Sequence, residues 1–333
     1  MGNSYPDRTN ARGIWKINDI TKNIMTKGTW SGSFGQRGLF GGGASPGAVD
    51  IIDYITISTA GNATDFGNLT SARSQVGQAS SVTRGIFIGG NTHPAHVNII
   101  DYVTIVTAGN ATDFGDLATA NRSGAACSNT TRALSAGGVQ LVANTEKIEI
   151  ATLGNGVDFG GDLTVGRAGA TAVASPTRGV WAGGDDGSTS QYNTMDFFEF
   201  ATGANAVDFG DLLVADRFKI SSGSSTRGLF AGGSQPGVVS TIDTIQIASH
   251  ANSTDFGDLS VARNESSGSS NNQRAVFAGG TEPGLSNVID YVTIASAGIA
   301  ADFGDLTDAR ANSGGGICSQ SHGGLDVYNP TTR

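Results

Sequence analysis

Arg274-Ala-Val-Phe-Ala-Gly-Gly280, then Ile289-Asp-Tyr-Val-Thr-Ile294, then Ala301-Asp-Phe-Gly-Asp-Leu306 and a final Arg310 make up one copy of a unit that occurs six times. The first arginine of each copy falls at Arg37, Arg84, Arg132, Arg178, Arg227 and Arg274, at spacings of 46 to 49 residues. A period of that length, holding four short strand-like runs, is the mark of propeller blades. The sequence therefore predicts an all-β, six-bladed propeller of four-stranded antiparallel blades. The blades fall near residues 37–73, 74–122, 123–167, 168–217, 218–263 and 264–310, each closing on an arginine.

Within the last copy the strands read a, Glu265–Ser270; b, Arg274–Ala278; c, Val288–Ala295; and d, Ala301–Leu306, with turn residues between them. The a strands are rich in small residues, as in Ser123-Gly-Ala-Ala-Cys-Ser128 and Ser266-Ser-Gly-Ser-Ser270. Small side chains suit the crowded axis of a narrow propeller. Large residues alternate along c (Ile55 and Ile57, Val103 and Ile105, Phe198 and Phe200, Val292 and Ile294) and are expected to pack between blades.

Two segments compete to close the first blade. One is Thr29-Trp-Ser-Gly-Ser-Phe34; the other is the run 311–318, whose spacing after Arg310 continues the period. The C-terminal run is the preferred closing strand, which would leave no open edge. Residues 1–28 stand apart from the repeat as an anchor segment. Asn18 is placed to cap a short helix, Gly28 to end it, and Ile17, Ile20 and Ile24 share one stripe beside Trp15. Such a helix needs another surface to cover its apolar face. Residues 322–333 form a tail.

The 333 residues carry a net charge of −9, which argues against binding nucleic acid through its phosphates. No apolar run reaches 18 residues, so no membrane insertion is expected. The N-terminus has no apolar core of a secretory signal. Cys127 and Cys318 occupy similar places in different repeats and read as small buried thiols.

The polar residues that recur are read first as frame. An acid stands on strand c of every copy: Asp53, Asp101, Glu146, Asp196, Asp243 and Asp290. A buried charge must be matched, so these acids are expected to pair with the strand b arginines of the neighbouring strand. The Asp-Phe-Gly unit also occurs six times. Its Phe would fill the outer core and its Asp would form an Asx turn. Asp113-Phe-Gly-Asp116 is the weak alternative of a calcium loop. His93 and His96 share one loop without a third metal ligand. No Gly-x-Ser-x-Gly elbow, phosphate loop, His-Glu-x-x-His or Cys-x-x-Cys motif is present, so no catalytic residue, metal or cofactor is assigned.

What varies is the b–c loops, which share one face of the disc with the d–a connections. Recognition usually lives on such loops. The candidate binding residues are His93, His96, Asp185, Asp186, Gln191, Tyr192, Gln235 and Glu282. Blade three departs most: its loop is short, Lys147 replaces the strand c tyrosine, and Gly161 is inserted.

The Gly-Gly pair after strand b, the strand c tyrosine and the final Ala-Arg resemble the kelch repeat, with Phe66 and its equivalents in place of the usual strand d tryptophan. That resemblance implies fold more than function. The wording Ile-Asp-Tyr-Val-Thr-Ile, Gly-Asn-Ala-Thr-Asp-Phe-Gly-Asp-Leu and Ser319-Gln-Ser-His-Gly-Gly324 resembles propeller proteins of marine bacteriophages, including those of cyanobacteria. Arg12-Gly-Ile-Trp-Lys-Ile-Asn-Asp19 is similar to short N-terminal segments of phage structural proteins. The resemblance implies a non-enzymatic virion protein, at the tail or its fibres. Its partners would be other virion proteins through residues 1–28, a host-surface glycan or protein through the loops, and further copies of itself. A capsid decoration protein and a glycan-active propeller are the alternatives.

Overall fold

Phe277 stands opposite Asp290 across an antiparallel ladder, and the same register recurs as Phe40 with Asp53, Phe87 with Asp101, Ser135 with Glu146, Trp181 with Asp196 and Phe230 with Asp243. The computed structural model describes residues 37–311 and 317–318. They form an all-β propeller of six four-stranded antiparallel sheets. In the last blade the strands are Ser267–Ser270, Arg274–Ala278, Val288–Thr293 and Ala301–Asp305. In the first, Ile317–Cys318 pairs with Arg37–Gly41, so a C-terminal strand completes a blade begun at the other end of the chain. The proposed anchor residues Trp15, Ile17, Ile20 and Ile24, the segment 29–36 and the tail lie outside the described residues.

Six hydrophobic clusters each span two neighbouring blades. Ile55 and Ile57 pack with Val276 and Phe303 of blade six; Val103 and Ile105 pack with Leu39 and Phe66 of blade one. Phe198 and Phe200 meet Leu134 and Phe159 of blade three. Strand c therefore buries its alternating large residues against the preceding blade. The Asp-Phe-Gly phenylalanines are all buried.

The inner strands, among them Gly77–Ser80, Thr171–Ala174 and Ser267–Ser270, consist almost wholly of buried small residues. Their smallness is required where neighbours touch: a Cβ on Gly268 would collide with the Ser221 carbonyl. At the rim, each c–d loop clasps the blade before it. Gly109 and Ala111 donate to the Phe66 and Asn68 carbonyls at 2.7 Å, and Asn68 N donates to Asn110 Oδ1 at 3.1 Å.

Four of the six strand c acids are buried and paired with an arginine, but not with a strand b arginine. Arg73 pairs with Asp101 at 2.8 Å, Arg167 with Asp196 at 2.7 Å, Arg263 with Asp290 at 3.0 Å and Arg310 with Asp53 at 2.8 Å. These are the closing arginines of the preceding blade, so the pair locks two blades together. A register shift just before the acid in five blades, as between Ile289 and Asp290, lies beside this arrangement. The strand b arginines instead reach across to a strand c carbonyl of the next blade: Arg37 to Ile105, Arg84 to Ile150, and Arg274 to Ile57. Arg37 and Arg274 also lie over their own blade's Tyr54 and Tyr291 rings.

Candidate functional site

After the closing segment of five blades the chain turns towards the axis through one left-handed residue. Gln75, Ser123, Gly169, Phe218 and Glu265 occupy this position with φ between 54° and 61°. Only one of the five is glycine, although a side chain there costs about 1–2 kcal/mol. They are joined in sequence around the axis. Ser123 N donates to the Gln75 carbonyl, Gly169 N to Ser123, Phe218 N to Gly169 and Glu265 N to Phe218, at 2.8–3.3 Å. These residues and the starts of their inner strands surround a cavity of about 80 Å³ at the mouth of the axial channel.

Equivalent positions thus carry an amide, a hydroxyl, no side chain, an aromatic ring and a carboxylate. The frame imposes the backbone geometry and leaves the chemistry free. Burial pushes the Glu265 carboxyl up, and the positive charge of Arg217 opposes that shift. Gln75 Oε1 is buried and accepts no hydrogen bond among the described residues. Arg217 lies over the Phe218 ring, 5.1 Å from its centroid.

Arg217 is displaced from the frame. At the junction of blades four and five the interior position of Arg73 and Arg310 is taken by Asp216. Lys219 supplies the cation instead, 3.3 Å from Asp216 and 3.4 Å from Asp243. Burial pushes both carboxyls up, and Lys219 pulls them back down. The arginine comes one residue later, and its half-exposed guanidinium pairs with Asp185 at 3.2 Å on the b–c face.

The loop residues fall into groups on that face. Asp185, Gln191 and Gln235 gather at the junction of blades four and five. Asp185 pairs with Arg217, Gln191 Nε2 donates to the Ser234 carbonyl, and Gln235 Nε2 donates to Asp216 at 3.4 Å. Tyr192 is half-buried beside them; its backbone N–H bonds the Gly184 carbonyl. Asp186 is exposed at the loop tip, its pKa held down to about 2 by hydrogen bonds from the Ser188 N–H and hydroxyl. His93 and His96 sit on blade two. The His93 ring contacts Ser74 Oγ at 3.2 Å and the Asn91 amide. His96 is pushed down by burial and by the charge of Arg122. Glu282 lies in a small hairpin, Thr281–Glu282 with Gly284–Leu285, on blade six, and its charge acts on Arg263.

The loop residues do not converge on one point. The residues that do converge are the left-handed set at the axial mouth, which periodicity alone does not mark. The signal in the sequence is the short stretch around the end of each closing segment, where residue identities stop repeating, as in Ser74-Gln75-Val76 against Arg217-Phe218-Lys219. Among the described residues no group of three or more His, Cys, Asp or Glu side chains is arranged to hold a metal ion. Cys127 is a buried free thiol, its pKa raised by burial. The chain matches no protein-family model and no curated protein.

Proposed function

We propose that this propeller is a non-enzymatic binding module of a bacteriophage virion, carried at the tail or its fibres, which recognises a host-surface glycan through the axial mouth of its b–c face. The observation that carries the binding reading is the mouth itself. Five equivalent left-handed positions present five different chemistries around one depression. Strained, non-glycine backbone held by its surroundings gathers where a site is being shaped. Phe218 offers a ring for the C–H face of a sugar, while Gln75, Ser123 and Glu265 offer acceptors and donors for its hydroxyls. The outer loops, with Asp186 and Tyr192, would contact the chain beyond the first sugar.

The virion setting rests on the resemblance of the repeat wording to marine phage propellers, with residues 1–28 as the attachment to other virion proteins. Gold-labelled antibody against the propeller, applied to intact particles, tests the setting. Label at the tail tip or fibres is the expected result. Label over the head would favour a capsid decoration role, and unlabelled particles would remove the virion reading altogether.

A further inference from the structure

Five of the six blade junctions hold a buried basic group against the strand c acid: Arg73, Arg167, Arg263 and Arg310 directly, and Lys219 at the junction of blades four and five. The junction of blades two and three holds none. Four positions differ there together. The hydroxyl that donates to the acid at four other junctions (Thr70, Thr164, Ser260, Thr307) is Ala118 here. The arginine is Asn121, the aromatic of strand b is Ser135, and the aspartate is Glu146. Each change removes bulk or moves the carboxylate. The outcome is a cavity of about 130 Å³ lined by Leu117, Thr119, Asn121, Ser135, Gln140 and Glu146, among others. Against a share of about 30 Å³ for one water molecule, this accommodates a group of guanidinium size.

Nothing in the junction replaces the lost cation. Asn121 is neutral and engaged with the backbone: its Nδ2 donates to the Gly137 carbonyl at 2.7 Å and its Oδ1 accepts from Arg122 N at 2.9 Å. Arg122, the arginine shifted by one residue as Arg217 is, forms no ion pair with Glu146, and its charge acts on His96. Glu146 Oε2 accepts from Ala118 N at 3.0 Å. Burial pushes this carboxyl up, backbone hydrogen bonds from Ala118 and Thr119 oppose that, and the charged neighbour Asp158 pushes it further up. In the intact joints the guanidinium also donates to a strand b carbonyl, as Arg310 Nη2 does to Phe40 at 3.1 Å and Arg263 Nη2 to Phe277 at 3.1 Å. The equivalent residue here is Ser135, which lines the cavity.

We propose that the cavity between blades two and three is a binding site for a guanidinium or primary ammonium group carried by a ligand, which seats on Glu146 where the other junctions use their own arginine or lysine. Gln140, Val142 and Asn144 of the blade-three b–c segment also line it, so the site borders the b–c face. A planar guanidinium would find the carboxylate and the Ser135 carbonyl side by side, the pair of acceptors that its counterparts use.

The test is titration of the full chain with methylguanidinium chloride and with methylammonium chloride, each against sodium chloride at equal ionic strength, followed by amide chemical shifts. The proposal predicts saturable shifts at Ala118, Ser135 and Gly137 with at least one of the two organic cations. The response should weaken by about tenfold or more in Glu146→Gln. It should also disappear in Asn121→Arg, where the side chain fills the site itself. If Asn121→Arg fails to fold, Glu146→Gln carries the comparison alone. No saturable response beyond sodium chloride, or an unchanged response in Glu146→Gln, would overturn the proposal.

Discussion

Arg310 and Asp53 form an ion pair at 2.8 Å across 257 residues of chain, with both side chains fully buried. It joins the last blade to the first, and three arginine pairs elsewhere in the ring repeat it. Removing one partner leaves a buried charge unmatched, at a cost of about 3–5 kcal/mol. Arg310→Met alone should therefore lower stability by that order in urea unfolding. Arg310→Met with Asp53→Leu should recover much of the loss, because the apolar pair leaves no charge behind. A single variant as stable as the parent would contradict the structural role.

The strand Ile317–Cys318 covers the edge of Arg37–Gly41. A chain ending at Ala311 would leave that edge unpaired, open to pairing with another chain. Its Tm should fall by on the order of 5 °C, and light scattering should show self-association absent from the full chain.

Glu146 has its carboxyl pushed above the ordinary value of 4.5, first by burial. A raised acid binds more protons in the folded than in the unfolded state, so stability falls as pH rises through that window. Glu146→Gln should then raise Tm at pH 7. The advantage should shrink as pH falls through the raised pKa and vanish below 4.5, where the carboxyl is protonated in both states. Thermal unfolding at several pH values distinguishes this from a pH-independent packing effect.

Ser123 holds φ at 54° without the freedom of glycine. Ser123→Gly should relieve up to about 1 kcal/mol of left-handed strain, partly offset by the greater entropy of glycine in the unfolded chain. The expected outcome is a neutral to slightly stabilised protein. Ser123→Val, β-branched at the same φ, should be destabilised.

The number of blades and their strand order were legible because Arg274, Asp290 and Phe303 recur at one period, and packing repeats wherever the sequence does. The partner of each acid was not legible. Arg274 and Asp290 lie on adjacent strands of one sheet, so local reasoning pairs them. The true partner of Asp290 is Arg263, brought in from the preceding blade by the turn towards the axis. Aligning copies on their closing arginine also hides the one-residue shift of Arg122 and Arg217. Only the structure separates the interior position, held by Asn121 and Asp216, from the one facing out. The axial mouth was hidden for a different reason. A left-handed backbone announces itself in sequence through glycine, and four of the five residues here are Gln75, Ser123, Phe218 and Glu265.

In the proposed function the residues that break the repeat at the axial mouth form the ligand surface, and the repeated frame does not. Binding of the purified chain to an immobilised panel of bacterial surface glycans tests it most directly. The parent should bind a subset of the panel. Phe218→Ala with Glu265→Gln should lose that binding while staying folded, and the frame variant Arg73→Met with Asp101→Leu should keep it. Binding that survives in the mouth variant, or a parent that binds none of the panel, would contradict the account.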